Sequence, residues 1–431
     1  MLPNLIISNN RRAIVTADGK PFFYLADTAW ELFHRLTLEE AEIYLHNRAA
    51  RGFNVVQAVA LAECDGLNKP NRYGHKPLDD NDPTQPNEPY WQHVDTVVKR
   101  ANELGLYVGL LPTWGDKWNK KWGVGPEIFT PENARAYAKW LAKRYRDDAI
   151  IWILGGDRPI ESDLHRQITE AFAAGLREGD GESHLITFHP SGGQSSSNWF
   201  ADSNLLDIQM IQSGHSHGPQ ALKFLRHDWS LMPPRPFING EPAYEAHPNN
   251  FQGGYEGWLD ESDVRRDLYY TICSGAAGYT YGAHAIWQFC NPRLNPPINQ
   301  PRLTWFEALE LPGAKQLAIA KKLLETLPTS LREPADHFLN AQEKPILPAV
   351  ACRDAAGLWA LIYLPESQTI DINLSILSKL PAEAVFINPR TGQITATKQL
   401  AANETTHRFI PPASFDNTRD SLLLLKISAK S

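Results

Sequence analysis

The chain has 431 residues, a formal net charge of -7 and four scattered cysteines, Cys64, Cys273, Cys290 and Cys352. Such a length predicts one large domain with a smaller one. The acidic balance, with no long basic run, argues against nucleic acid or an anionic membrane as partner, and the lack of a CxxC pair argues against a disulfide framework or a zinc site. No apolar stretch reaches membrane-span length. The N-terminus has no basic segment followed by a sustained apolar one, so a cytoplasmic protein is expected. The 13 Trp residues offer flat amphipathic faces suited to sugar rings and interfaces.

Taken in order, residues 1–20 read as short β segments with a turn at Ala17-Asp18-Gly19-Lys20. Phe22 to Ala26 is the first buried strand, followed by Asp27 and Trp30. Thr37 with Glu40 three residues on forms a capping box, opening a helix to Arg51. Strand two, Val55 to Leu61, ends at Glu63 and Asp65, and a polar loop leads to a helix over Tyr90 to Leu104. Strand three, Tyr107 to Leu111, ends at Trp114. A loop rich in Trp and Lys precedes a helix over Pro131 to Tyr145. Strand four is Ile150 to Leu154, an apolar run without polar alternation, as expected for a strand buried on both faces. It stops at Gly155-Gly156-Asp157-Arg158. A helix over Leu164 to Glu178 leads to strand five, Leu185 to Phe188, which ends at His189. Strand six, Leu206 to Ile211, ends at Gln212 and His215, and a helix covers Pro219 to Trp229. Phe237 and Ile238 form strand seven, ending at Gly240-Glu241. A helix over Ser262 to Cys273 precedes strand eight, Ala277 to Tyr281, with His284 and Trp287 beyond.

This alternation predicts a parallel sheet and, at eight units, an α/β fold of the (β/α)8 TIM-barrel type over residues 1–330, closed by a helix from 312 to about 330. No GxGxxG follows the first strand, so a nucleotide cofactor is not expected. From Pro334 the texture changes to short strands at 350–352, 358–364, 370–374, 384–387 and 421–427, which read as a small β-sandwich over residues 331–431.

In a TIM barrel the active site lies at the C-terminal strand ends. Asp157 and Glu241 follow strands four and seven, on opposite sides of the mouth. Two opposed carboxylates are the minimum equipment for glycosidic hydrolysis, with their separation deciding between retention and inversion. The other polar and aromatic residues at strand ends, expected to bind substrate, are Asp27, Trp30, Glu63, Trp114, Arg158, His189, Gln212, His215, Tyr244, His284 and Trp287. Trp114, Trp118 and Trp122, interleaved with Lys117, Lys120 and Lys121, form a second motif: a sugar platform with cations for uronic acid groups, or helical packing with solvated lysines. His215-Ser216-His217 near His189 lacks acidic ligand spacing, so no metal is expected.

Four segments carry a resemblance: FFYLADTAWELFHRLTLEEAEIYLHNRAARGFNVVQ (Phe22 to Gln57), WILGGDR (Trp152 to Arg158), INGEPAYE (Ile238 to Glu245) and NPRTG (Asn388 to Gly392). With them the chain resembles the apiosidase-like glycoside hydrolases, TIM barrels with a C-terminal collagen-binding-type β-sandwich. The resemblance implies retaining hydrolysis, with Asp157 as acid/base and Glu241 as nucleophile, and a plant-type oligosaccharide substrate in which apiose is linked to a pectin side chain. An acid at Asp157 requires a raised pKa, from burial or from the charge of Glu241. Arg158 is therefore expected to point away or to pair with another acid. An ionised Glu241 requires donors, for which Tyr244 and His215 are placed. The rival readings are a non-catalytic carbohydrate-binding barrel and a matrix or collagen adhesin acting through the tail. The oligomeric state is not legible in the sequence.

Overall fold

The computed structural model describes residues 2–327, 331–341, 346–366, 368–379, 381–401, 403–412, 415 and 420–427. Eight parallel strands form the barrel: β1 (Tyr24–Thr28), β2 (Val55–Leu61), β3 (Tyr107–Thr113), β4 (Ile150–Gly155), β5 (Ile186–His189), β6 (Gln209–Gln212), β7 (Phe237–Asn239) and β8 (Gly278–Tyr281). Their order around the sheet is 5-4-3-2-1-8-7-6. The seam between β5 and β6 is joined by Asp207 N–H donating to Ile186 O at 2.9 Å and by the Thr187 hydroxyl donating to Ile208 O at 2.9 Å. The major helices are α1 (Leu38–Ala50), α2 (Glu88–Glu103), α3 (Pro131–Arg144), α4 (Asp163–Asp180), α5 (Ala221–Ser230), α6 (Glu261–Cys273) and the closing α7 (Pro312–Thr326). The expected end of that last helix, residues 328–330, lies outside the described residues.

Local rules place most of these elements. Thr37 and Glu40 close the capping box of α1, and Asp260 and Asp263 close that of α6, with Ser262 N–H donating to the Asp260 side chain. Strand β1 begins two residues later than expected, because Pro21–Phe22 pairs with the strand Ile14–Thr16 in the small N-terminal sheet. The apolar run of β4 divides by pleat. Ile151 and Ile153 pack in the barrel interior, and Ile150, Trp152 and Leu154 pack under the helices.

Asp27, expected at the sugar site, is buried away from it. Its Oδ2 accepts from the Tyr44 hydroxyl at 2.5 Å and from Arg48 Nε at 2.8 Å. Both side chains of the Arg48–Asp27 pair have 0% exposure. Arg48 also lies within 5.7 Å of the ring centres of Tyr44, Phe53 and Tyr281. The pair therefore ties α1 to the end of β1. A tyrosine and an arginine on one helix face, four residues apart, reach it first, and they leave it no path to the cleft.

The C-terminal region is a β-sandwich. A six-stranded antiparallel sheet includes Val350–Asp354, Trp359–Leu364, Ala382–Ile387 and Ser421–Ile427, and a three-stranded sheet faces it. The strands Arg332–Pro334, Leu339–Ala341, Lys398–Leu400 and Thr406–Phe409 escape sequence reading because three or four residues carry too little periodicity. Alternate residues of Trp359–Leu364 face two different cores. Trp359, Leu361 and Tyr363 join the barrel's outer core, while Ala360, Ile362 and Leu364 fill the sandwich. Arg265 of α6 grips Asp420 with two bonds of 2.8 and 3.0 Å, and Tyr269 stacks on Tyr363 at 4.9 Å. The tail thus packs directly on α6 and the barrel's outer core.

Candidate active site

Three consecutive left-handed residues end β4: Gly155 (φ 90°), Gly156 (φ 91°) and Asp157 (φ 59°). A Cβ on Gly155 would stand 2.2 Å from His189 O, and one on Gly156 would stand 2.5 Å from Gly115 N. Both glycines are therefore required by conformation and by space. They swing the Asp157 side chain over the barrel mouth. Across the mouth, Gly240 N–H donates to Ile211 O at 2.8 Å and a Cβ there would strike Met210 Sδ at 2.5 Å, which places Glu241 just past β7.

The two carboxylates share a histidine. His189 Nδ1 accepts the Asp157 backbone N–H at 3.2 Å, so the neutral ring carries its proton on Nε2. That Nε2 stands 2.8 Å from Glu241 Oε2, off the hydrogen-bond line. His215 Nε2 lies 3.1 Å from Glu241 Oε1, and its Nδ1 lies 2.9 Å from Pro242 O. The electrostatics separate the two acids. Burial and then the negative charge of Glu241 push Asp157 up to about 6. Burial would raise Glu241 too, but His189 and His215 outweigh it and hold that carboxyl well below the usual range.

The cleft around this pair has a volume of about 380 Å³, within the range of small-ligand sites. Of the residues expected to bind substrate, Trp30, Glu63, Trp114, Gln212, His215, Tyr244 and Trp287 line it together with Asp157 and Glu241. Four others do not. Asp27 faces Arg48. His189 is fully buried behind Trp30 and Trp114, at ring distances of 5.3 and 5.9 Å, and acts on the cleft only through Asp157 and Glu241. His284 is buried between Asn299 O at 2.9 Å and the Trp287 indole N–H at 3.3 Å.

Arg158 is the fourth, and its expected orientation also fails. It is 0% exposed, and its Nη1 bonds Asp157 itself, at 2.8 Å to the carbonyl oxygen and 3.2 Å to Oδ2. The loop 115–125 wraps around it. A Cβ on Gly115 would stand 2.4 Å from Arg158 Cγ, and one on Gly123 would stand 2.6 Å from Nη2. Asp157 keeps its raised pKa because burial and Glu241 outweigh this cation.

The Trp and Lys motif also resolves differently from a solvated platform of three rings. Trp118 is buried, donating to Gly155 O at 3.2 Å. Lys117 is buried against Ala62 O at 2.6 Å and Asp116 Oδ1 at 2.7 Å, and Lys121 pairs with Glu161. No Lys or Arg lines the cleft among the described residues, so the motif supplies no cation for a uronic acid there.

Residues beyond the strand-end reading complete the wall. Trp122, His247, Phe251 and Asn299 come from loops that return over the mouth. His247 lies between His215, tilted against it, and His284, edge-on to it, 4.4 Å from each, and burial together with those rings holds it well below the usual imidazole range. Of these four residues the sequence marks only Trp122, as a member of the Trp and Lys motif. Among the described residues no group of three His, Cys, Asp or Glu is arranged to hold a metal, and no helix is long and apolar enough to cross a membrane.

Burial, followed by the charges of Asp157, Glu31 and Asp116, pushes Glu63 up to about 8. A folded-state value above the unfolded one binds extra protons between pH 4.5 and 8, so rising pH destabilises the native state across that window. Glu63→Gln is expected to flatten this decline. Melting temperatures of both proteins from pH 5 to 9 check it, and parallel curves would show that Glu63 stays ionised.

Residues 8–330 match the family model described as "Apiosidase-like, catalytic domain", and residues 336–426 match "Putative collagen-binding domain of a collagenase". No curated protein matches the chain. Two solved structures resemble it over its whole length. One, named a glycoside hydrolase, is 29% identical with a TM-score of 0.88, covering 100% of this chain and 98% of its own. The other, a glycoside hydrolase family 5 protein from Bacteroides vulgatus, is 28% identical with a TM-score of 0.90, covering 100% and 96%.

Proposed function

The chain belongs to the apiosidase-like family of glycoside hydrolases, and from that premise we propose that it cleaves a glycosidic bond with retention, Asp157 serving as acid and then base and Glu241 as nucleophile. The observation that carries this reading is the opposite displacement of two facing carboxylates, one toward neutrality and one toward ionisation. An acid near pH 6 still holds its proton when the glycosidic oxygen needs it. An ionised Glu241 attacks the anomeric carbon, and the bond to the leaving oxygen breaks as Asp157 protonates it. Asp157, now ionised, takes a proton from water, and that water displaces Glu241. Retention itself rests on the family premise, and His189 ties the Asp157 backbone and the Glu241 carboxylate to one imidazole. The cleft's aromatic walls at Trp30, Trp114 and Trp287 suit a sugar ring. Family membership favours a plant-type oligosaccharide, apiose-containing pectic glycosides first.

The test is product release from aryl glycosides and pectic oligosaccharides, with the first-formed anomer read by NMR. Asp157→Asn is expected to lose roughly 10²–10⁴-fold on poor leaving groups. Activity requires a protonated Asp157, so kcat/KM is expected to fall as pH rises through about 6, while the acidic limb lies well below it. A first product of inverted configuration would sink the retaining mechanism. An Asp157→Asn variant as active as wild type would remove Asp157 from the reaction.

A further inference from the structure

Trp122 lies on the barrel-mouth loop at the acid side of the cleft. It is 60% exposed, the most open of the cleft's tryptophans, yet its indole N–H is committed, donating to Asp157 Oδ2 at 3.1 Å. Arg158 Nη1 donates to the same oxygen at 3.2 Å. Among the described residues no bond reaches Asp157 Oδ1. The guanidinium of Arg158 also sits 4.3 Å from the Trp122 ring centre, fixing the ring from one side.

The loop beneath is firmly held. Asp116 Oδ2 accepts Gly125 N–H at 2.8 Å, its Oδ1 accepts Lys117 Nζ at 2.7 Å, and Arg158 Nε donates to Asn119 O at 3.0 Å. A ring so supported cannot easily leave the carboxylate it touches. Two N–H donors on one oxygen also place negative character there, so a proton on this carboxyl resides on the other oxygen.

We propose that Trp122 is a positioning residue for the acid: with Arg158 it reserves Oδ2, leaving Oδ1 to deliver the proton, and its open face receives the flat leaving group, a sugar ring or an aryl aglycone. This rests on the assignment of Asp157 as acid. Each donor on Oδ2 favours the ionised carboxyl, so Trp122 also keeps Asp157 from rising further.

Trp122→Phe keeps a ring and deletes the N–H. On aryl glycosides of the sugar the enzyme cleaves, it is expected to lose roughly 10–100-fold with phenyl as leaving group. It is expected to lose little with 2,4-dinitrophenyl, which departs without a proton. Its basic pH limb moves upward, because a donor to the ionised form has gone. Trp122→Ala is expected to raise KM for sugar leaving groups as well. Equal losses on every leaving group, with an unmoved pH limb, would make the residue merely structural and overturn the proposal. If Asp157→Asn itself spares the phenyl glycoside, the acid assignment fails instead, which separates the two.

A ligand-free measurement is decisive in its own right. Tryptophan fluorescence of wild type minus that of Trp122→Phe is expected to titrate near pH 6, and the step is expected to vanish in Asp157→Asn. A flat difference, or a step that survives Asp157→Asn, would refute the contact.

Discussion

Glu241→Ala is expected to lower kcat by roughly 10⁴-fold or more, the scale seen when a covalent nucleophile is removed. The small side chain leaves room beside the anomeric carbon, and added azide is expected to restore turnover there. Azide attacking from the nucleophile's side yields a glycosyl azide of inverted configuration. The matching experiment on Asp157→Ala is expected to give the retained azide, because the nucleophile still acts and azide enters from the acid's side. Product configurations by NMR therefore assign each carboxylate separately. The reverse pattern would exchange the roles, and azide without effect on either variant would end the covalent mechanism. A second signature follows from the charges. Glu241 is one of the causes that raise Asp157, so in Glu241→Gln the residual activity is expected to lose its basic limb at lower pH than wild type. The sign is fixed by Coulomb repulsion: removing a neighbouring negative charge makes Asp157 ionise more readily.

The second large effect concerns stability. Arg48→Met leaves the Asp27 carboxylate fully buried without its countercharge, held by the Tyr44 hydroxyl and the Thr28 backbone N–H. Breaking a buried pair from one side costs about 3–5 kcal/mol, because the remaining charge stays desolvated. Urea unfolding is expected to show a midpoint lowered accordingly with little change in slope. The double variant Asp27→Asn, Arg48→Met carries no buried charge and is expected to recover much of the loss, since uncharged replacements of buried pairs are often neutral. The deficit of the single variant is expected to shrink at acidic pH. Burial already raises Asp27, loss of Arg48 raises it further, and a carboxyl displaced upward destabilises as pH rises through its own pKa. A single variant as stable as wild type would show that water reaches this site.

How much could be read in advance differs from element to element. The barrel strands were legible because parallel strands buried on both faces give unbroken apolar runs, as at Ile150 to Leu154 and Val55 to Leu61. The helices were legible from caps and periodicity. Asp157 and Glu241 stood out because each follows such a run through glycine. The strand Trp359–Leu364, expected from Leu358, was legible for the same reason as the barrel strands, since it too is buried on both faces, by two different cores.

The same rule that places a residue at a strand's end does not aim its side chain. Asp27, Arg158, His189 and His284 all occupy expected positions, yet each is turned from the cleft by a partner distant in sequence or by a loop that wraps it. Arg48 claims Asp27 from the next helix, and the 115–125 loop encloses Arg158. Trp122, His247 and Phe251 reach the cleft on irregular loops whose course no period encodes.

The sequence by itself determined the barrel, the attached sandwich and the two carboxylates at opposite strand ends, because burial and backbone geometry write those features locally. Only the tertiary structure decided which acid keeps its proton. That choice depends on desolvation, on the facing charge and on two histidines brought from β5 and the β6 loop, and those distances exist only once the barrel has closed.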